Sequence, residues 1–168
     1  MPLKSLDKNI KKIIVYYLIT LGVGFSLGVL YVYLNSEFSY PGMIEQYLGN
    51  EEQEEMRWDD PTYEYKTAKT LKDLVSHTHE HITMFSLIFV SLGFIFSFNS
   101  TIKGFWKSFL ILEPFISIIL TFGGFFIIRY ISINFSYIIM ISSALMYICF
   151  YVMLFTCLYE LLFLKKRD

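Results

Sequence analysis

The sequence predicts an all-α integral membrane protein whose four transmembrane helices form an up-down-up-down bundle. Of its 168 residues, 55% are apolar and 19% aromatic. The charged residues gather in short blocks, and between the blocks run apolar stretches of about 20 residues, long enough to cross a hydrocarbon core of roughly 30 Å. A water-soluble helical core is excluded on the same ground, because a helix packed in water keeps a polar face and these stretches have almost none. Residues 1–168 are therefore taken as a single membrane domain.

The first span runs from Ile13 to Leu34. Its apolar run exceeds that of a cleaved signal, and "YLNSEFSY" after it offers no small-x-small cleavage site, so it is expected to stay as an anchor. It contains "GVGFSLG", with Gly24 and Gly28 at the spacing through which membrane helices approach one another. That pattern predicts a close contact for the first span, within the bundle or across a homo-oligomer or protein partner.

The second span, Ile82 to Phe98, is short, but "TAKTLKDLV" ahead of it has helical periodicity and can carry the same helix above the membrane. Along it His79, Thr83, Ser86, Val90, Gly93 and Ser97 recur at steps of four and three, which places them on one face as an expected interhelical seam. The third span is Phe109 to Ile128 and the fourth Tyr137 to Leu164, joined by connections short enough to make neighbours antiparallel. Cys149 and Cys157 lie about 12 Å apart along the fourth helix axis, too far to bridge, and are expected to be lipid-facing or core residues.

Lysine and arginine resist translocation, so they set the orientation. Lys4, Lys8, Lys11 and Lys12 precede the first span, Lys103 and Lys107 lie between the second and third, and Lys165, Lys166 and Arg167 end the chain. All belong on the cytoplasmic side, which makes the expected location a bacterial inner membrane with both termini inside. The outer loop, residues 35–81, then carries eleven acidic residues against four basic ones.

Three charges lie within or at the edges of the apolar runs, where a charge is costly and needs a reason. Glu113 and Glu160 are expected at similar depth near the cytoplasmic side, where they could share a proton, hold an ion, or snorkel to Lys107 or Lys165. Arg129, at the outer end of the third span, could meet the acidic loop or a lipid phosphate.

"SHTHEHITMF", residues 76 to 85, holds every histidine of the chain: His77, His79 and His81. On a helix His77 and His81 point the same way and could clasp one transition metal, with Glu80 as a further ligand candidate, whereas His79 turns to nearly the opposite face. The phase of the expected seam puts the pair outward and His79 into the bundle. Read as H-x-x-E-H, the stretch matches an inverted zinc-peptidase signature, but no downstream glutamate lies at the same depth and no soluble domain could form a cleft. Haem is the other candidate. Without a histidine elsewhere, its second axial ligand would be a methionine, Met84, Met140 or Met43, or water, or would come from a second chain.

The segments "IEQYLGN", "KTLKDLVSHTHEHITMFSLIFVSLGFIF" and "FGGFFIIRYISINFSYIIMISSALMYICF" together resemble a group of small, functionally uncharacterised bacterial four-helix membrane proteins. In that group a tyrosine-glycine element precedes an amphipathic stretch, a His-x-His pair at the outer start of helix two, and an arginine closing helix three. The resemblance implies that Tyr47 and Gly49 form the loop element. It makes His79 and His81, or His77 and His79, the pair, and Arg129 the closing arginine. It points to the outer face as the site.

The expected function is a haem- or metal-binding subunit or accessory factor of a membrane redox system. The alternatives are an assembly protein that docks a periplasmic partner through the acidic loop, and a proton or ion transporter built on Glu113 and Glu160. No c-type haem attachment motif, phosphate loop, Ser-His-Asp constellation or basic nucleic-acid face is present. Catalysis by the chain alone and nucleic-acid binding are therefore not expected.

Overall fold

A computed structural model describes residues 2–36, 38–50 and 66–164. The acidic run "EEQEEMRWDD" and the basic end Lys165, Lys166 and Arg167 lie outside the described residues. Among those described, the chain forms five α-helices: α1 (Lys8–Ser36), α2 (Tyr40–Leu48), α3 (Leu71–Ser97), α4 (Phe105–Tyr130) and α5 (Ser136–Phe163). Four of them, all but α2, are long and apolar enough to cross a membrane. The protein is an all-α, four-span membrane protein, as the composition requires.

The short α2 starts where Ser39 accepts a hydrogen bond from the Gly42 amide at 3.0 Å, with a proline in its first turn. It stops at Gly49, whose φ of 79° suits a residue without a side chain. A Cβ there would stand 2.6 Å from the Ala68 nitrogen. This closeness exists because the two ends of the intervening loop are tied together. The Asn50 amide donates to the Lys66 carbonyl at 3.0 Å, and the Lys69 amide to the Tyr47 carbonyl at 3.1 Å.

Helix α3 begins well before the expected span at Ile82, because Thr70 and Asp73 form a reciprocal capping box at its start. Such a cap stabilises a helix end by about 1 kcal/mol. The stretch carrying the histidines is thus helical throughout. Its buried face, however, is not the expected small-residue seam. Leu74, Phe89, Leu92 and Phe96 are buried, whereas His79, Thr83, Val90 and Ser97 are exposed and only Gly93 of that stripe is fully buried. Large apolar side chains bury more contact area per helical turn than serine or threonine, and here Phe85 and Phe89 meet Phe25 of α1 edge-on while Phe85 also meets Phe122 of α4 at a tilt.

The most extensive packing joins α4 to α5. By contrast, α1 is largely exposed and touches the bundle through Leu18, Gly22 and Phe25. A Cβ on Gly22 would approach Leu154 Cδ2 to 2.9 Å, so this glycine is where α1 comes close to α5. Gly24 and Gly28, which carry the predicted GxxxG contact, have nothing within 4 Å of the space a Cβ would fill. The contact therefore does not form within the bundle. α1 is fastened instead by Phe25, which stacks on Phe150 at 3.6 Å, while Gly24 and Gly28 border open space.

Candidate functional site

The bundle holds a partly open cavity of about 820 Å³ in the half that contains α2. All five helices contribute to its lining. Its walls are mainly apolar and aromatic, and no Asp, Glu, Lys or Arg occurs among the described residues that line it.

The polar end is built by α3 with α2 above it. His77 and His81 face the cavity one helical turn apart, with ring centroids 4.0 Å from one another. The pairing follows the expected helical phase, but the direction is the reverse of the expectation. His77 and His81 look inward, and His79 is exposed on the outside with Glu80. The cause is the phase of the Leu74–Phe89–Phe96 ridge, which shares its side of α3 with His77 and His81.

His81 Nδ1 lies 2.8 Å from the His77 carbonyl oxygen. A carbonyl can only accept, so Nδ1 carries the hydrogen, and a neutral His81 presents a bare Nε2. His77 Nε2 is 3.4 Å from the Tyr47 hydroxyl of α2. Tyr47 is 9% exposed and stacks on Phe125 with centroids 4.0 Å apart. Burial, with Tyr147 and Tyr31 adding to it, pushes the Tyr47 phenol above its ordinary value, so it keeps its hydrogen. Phe122 flanks the His81 ring at 5.1 Å. The result is a small polar patch, rich in neutral donors and acceptors, let into an aromatic wall.

The candidate methionines converge on the same space. Met43, Met84 and Met140 all line the cavity, as does Met146, although Met84 is 59% exposed. Glu80 does not join them, since it accepts from Ser76 at 2.8 Å on the outer surface of α3. Among the described residues no group of three or more His, Cys, Asp or Glu side chains is arranged to hold a metal ion. The structure thus offers imidazole and thioether donors around a large space, but not a compact ion cage.

The two carboxylates stand apart from the cavity and from each other. Glu160 is wholly buried at the opposite end of the bundle. It accepts from the Lys4 amide at 3.3 Å, the Ser100 amide at 2.5 Å and the Ser100 hydroxyl at 2.9 Å. Glu113 accepts from the Ser117 hydroxyl and lies beside Cys149, about three turns or roughly 16 Å along α5 from Glu160. Their expected pairing at one depth does not occur, because Glu160 is drawn to the connection between α3 and α4. Lys107 donates instead to the Ser97 and Asn99 carbonyls, at 2.5 and 2.8 Å. Arg129 donates from Nε to the Lys69 carbonyl at 3.3 Å and lies 5.9 Å from the Tyr130 ring centroid, pinning the segment that leads into α3.

Spacing alone did not connect Tyr47 with the histidines, since 30 residues separate it from His77. The available signal was compositional: a tyrosine next to the turn glycine of a short helix that could fold back over the bundle.

A family model described as a transmembrane helical domain, Aq_1264_TM, matches residues 37–168. The match covers α2 to α5 and thus everything that builds the cavity except its α1 wall. No curated protein and no solved structure matches the chain. On this match the chain belongs to that transmembrane helical domain family.

Proposed function

We propose that this member of the transmembrane helical domain family is a membrane-embedded binding protein that holds a lipophilic cofactor in its cavity, polar centre against His77 and His81. The observation that carries the reading is the imidazole pair turned into a space of about 820 Å³ whose walls are mainly apolar and aromatic. Ligand sites in proteins have this volume and this composition, a few convergent polar groups in an apolar wall. The volume is far more than a bare ion needs, which favours an organic or macrocyclic occupant.

In the form of this reading that includes a metal, the occupant is haem. The bare Nε2 of His81 would be one axial ligand, and Met43, Met84 or Met140 supplies the candidate for the other. The chain would then serve as a subunit or accessory factor of a membrane redox system. We place the end that holds Glu160 and the N-terminus in the cytoplasm, on the strength of the lysines around it, and the cavity in the outer leaflet of the inner membrane.

The test is the purified protein itself. Its visible spectrum and metal content are measured, and an organic extract is examined by mass spectrometry. A Soret band, or a stoichiometric lipophilic compound that is lost in His81→Ala, is the expected result. A colourless parent whose extract matches that of His81→Ala and of empty membrane overturns the proposal.

A further inference from the structure

The cavity is covered on one side and uncovered on another. Over its outer end α2 forms a roof, with Met43 and Tyr47 each only 9% exposed. Between α1 and α3 there is no comparable closure. α1 packs on α2 and α5 but scarcely on α3. What joins α1 to α3 lies lower: the Tyr17 and Ser91 hydroxyls 2.5 Å apart, and Phe25 edge-on to Phe85 and Phe89. Beside and above these the cavity is bordered by Gly24, level with Phe25, and by Gly28, each with no atom in the space of an added Cβ, and by the exposed Met84. Counted along the helices, Gly24 and His81 are each roughly 24 Å from the opposite end of the bundle, so the gap opens at the level of the imidazoles. The glycine pair leaves a window facing lipid.

The head that would suit the polar end is neutral. No Asp, Glu, Lys or Arg lines the cavity among the described residues, so a phosphate or a carboxylate would enter without a permanent counter-charge, at a high cost in an apolar space. What the site offers is a bare acceptor at His81 Nε2 and a hydrogen shared between Tyr47 and His77, flanked by the rings of Phe122 and Phe125. A flat ring bearing a hydroxyl group donates its hydrogen to His81 Nε2, a second ring oxygen accepts from the Tyr47–His77 pair, and the ring stacks on the aromatics.

We infer that the occupant is a membrane-dissolved molecule of the quinone class in its reduced, hydroxyl-bearing form, a neutral ring on a long apolar tail, and that it loads sideways from the bilayer between α1 and α3. This rests on the binding reading above. The ring lies at Tyr47, His77 and His81, and the tail leaves past Gly28 and Met84.

The experiment uses the full chain in phosphatidylcholine nanodiscs and a decyl-substituted benzoquinol, kept reduced under anaerobic conditions, as probe, with binding followed through quenching of tyrosine emission. Saturable binding is expected in the parent, weakened at least about tenfold in His81→Ala and in Gly28→Trp, and unchanged in His79→Ala. A photoreactive group at the tail end of the same probe is expected to label α1 and α3 around Gly28 and Met84 in the unmodified chain. Labelling of α2 instead overturns the sideways route. Parent protein that ignores the probe but takes up added haem with a Soret band overturns the quinone assignment and leaves the binding reading standing. Parent protein that takes up neither removes both.

Discussion

The two ends of this bundle use the same helices for opposite purposes. At the Glu160 end, polar groups are saturated. The carboxylate gathers three donors from the N-terminal turn and the α3–α4 connection, Asn99 closes that connection through the Thr101 and Ile102 amides, and the Leu3 amide reaches the Phe98 carbonyl at 3.1 Å. At the cavity end, helices stand apart, glycines border empty space, and imidazoles keep unused capacity. Saturated, well-packed regions are over-determined and resist change, whereas a site must retain valence and volume for something else. Under the proposed function, the contrast assigns structural duty to one end and recognition to the other.

The largest expected effect falls at the saturated end. Glu160→Ala leaves three part-buried donors without their acceptor and is expected to cost about 3 kcal/mol of stability, measured as the loss of helical circular dichroism in a detergent denaturation series. Glu160→Gln, which keeps an acceptor oxygen, is expected to recover part of it. Equal behaviour of Glu160→Ala and the parent would dissolve the distinction between the two ends.

Next comes the contact that fastens α1. Gly22→Leu forces a side chain against Leu154 and is expected to destabilise the fold by about 2 kcal/mol, with thermal unfolding in detergent as the measurement. The same substitution at Gly28, which meets nothing within 4 Å, is expected to leave the unfolding temperature close to that of the parent. A reversal of these two results would show that α1 is held by its GxxxG face.

A smaller effect on stability, but the sharper one on recognition, separates the histidines. His81→Ala is expected to weaken retention of the cavity ligand about tenfold, and His79→Ala to leave it unchanged, as scored by the co-purified ligand. The smallest effect is a gain. Gly24→Ala adds a methyl group where there is room and improves helix propensity, so stability is expected to rise by less than about 1 kcal/mol. A loss of that size would mean that the window is closed by a contact across a second copy.

Four spans, their antiparallel order and the pairing of His77 with His81 were legible in the sequence, because each follows from a local rule. Hydrocarbon thickness sets span length, short connections set direction, and a four-residue step sets the angle between two side chains. The side of α3 that turns inward was not legible. A lipid-facing surface is as apolar as a core, so in a membrane the hydrophobic pattern loses the contrast that gives a soluble helix its phase. The stripe from His79 to Ser97 and the ridge from Leu74 to Phe96 were both compatible with burial, and only the aromatic contacts with Phe122 and Phe25 select the ridge. The same choice turned His77 and His81 inward and left His79 outside.

By itself, then, the sequence determined which segments are apolar enough to cross the membrane and which chemical groups meet at one end of the second span, since those depend on solvent and on neighbours along the chain. Only the tertiary structure decided that Glu160 is a structural knot, that Gly24 and Gly28 border a cavity, and that Tyr47 closes over His77. Each of these is a relation between residues 30 to 156 positions apart or an empty space between helices. No period along a chain encodes such a relation, because it arises from the rotation at which one helix settles on another.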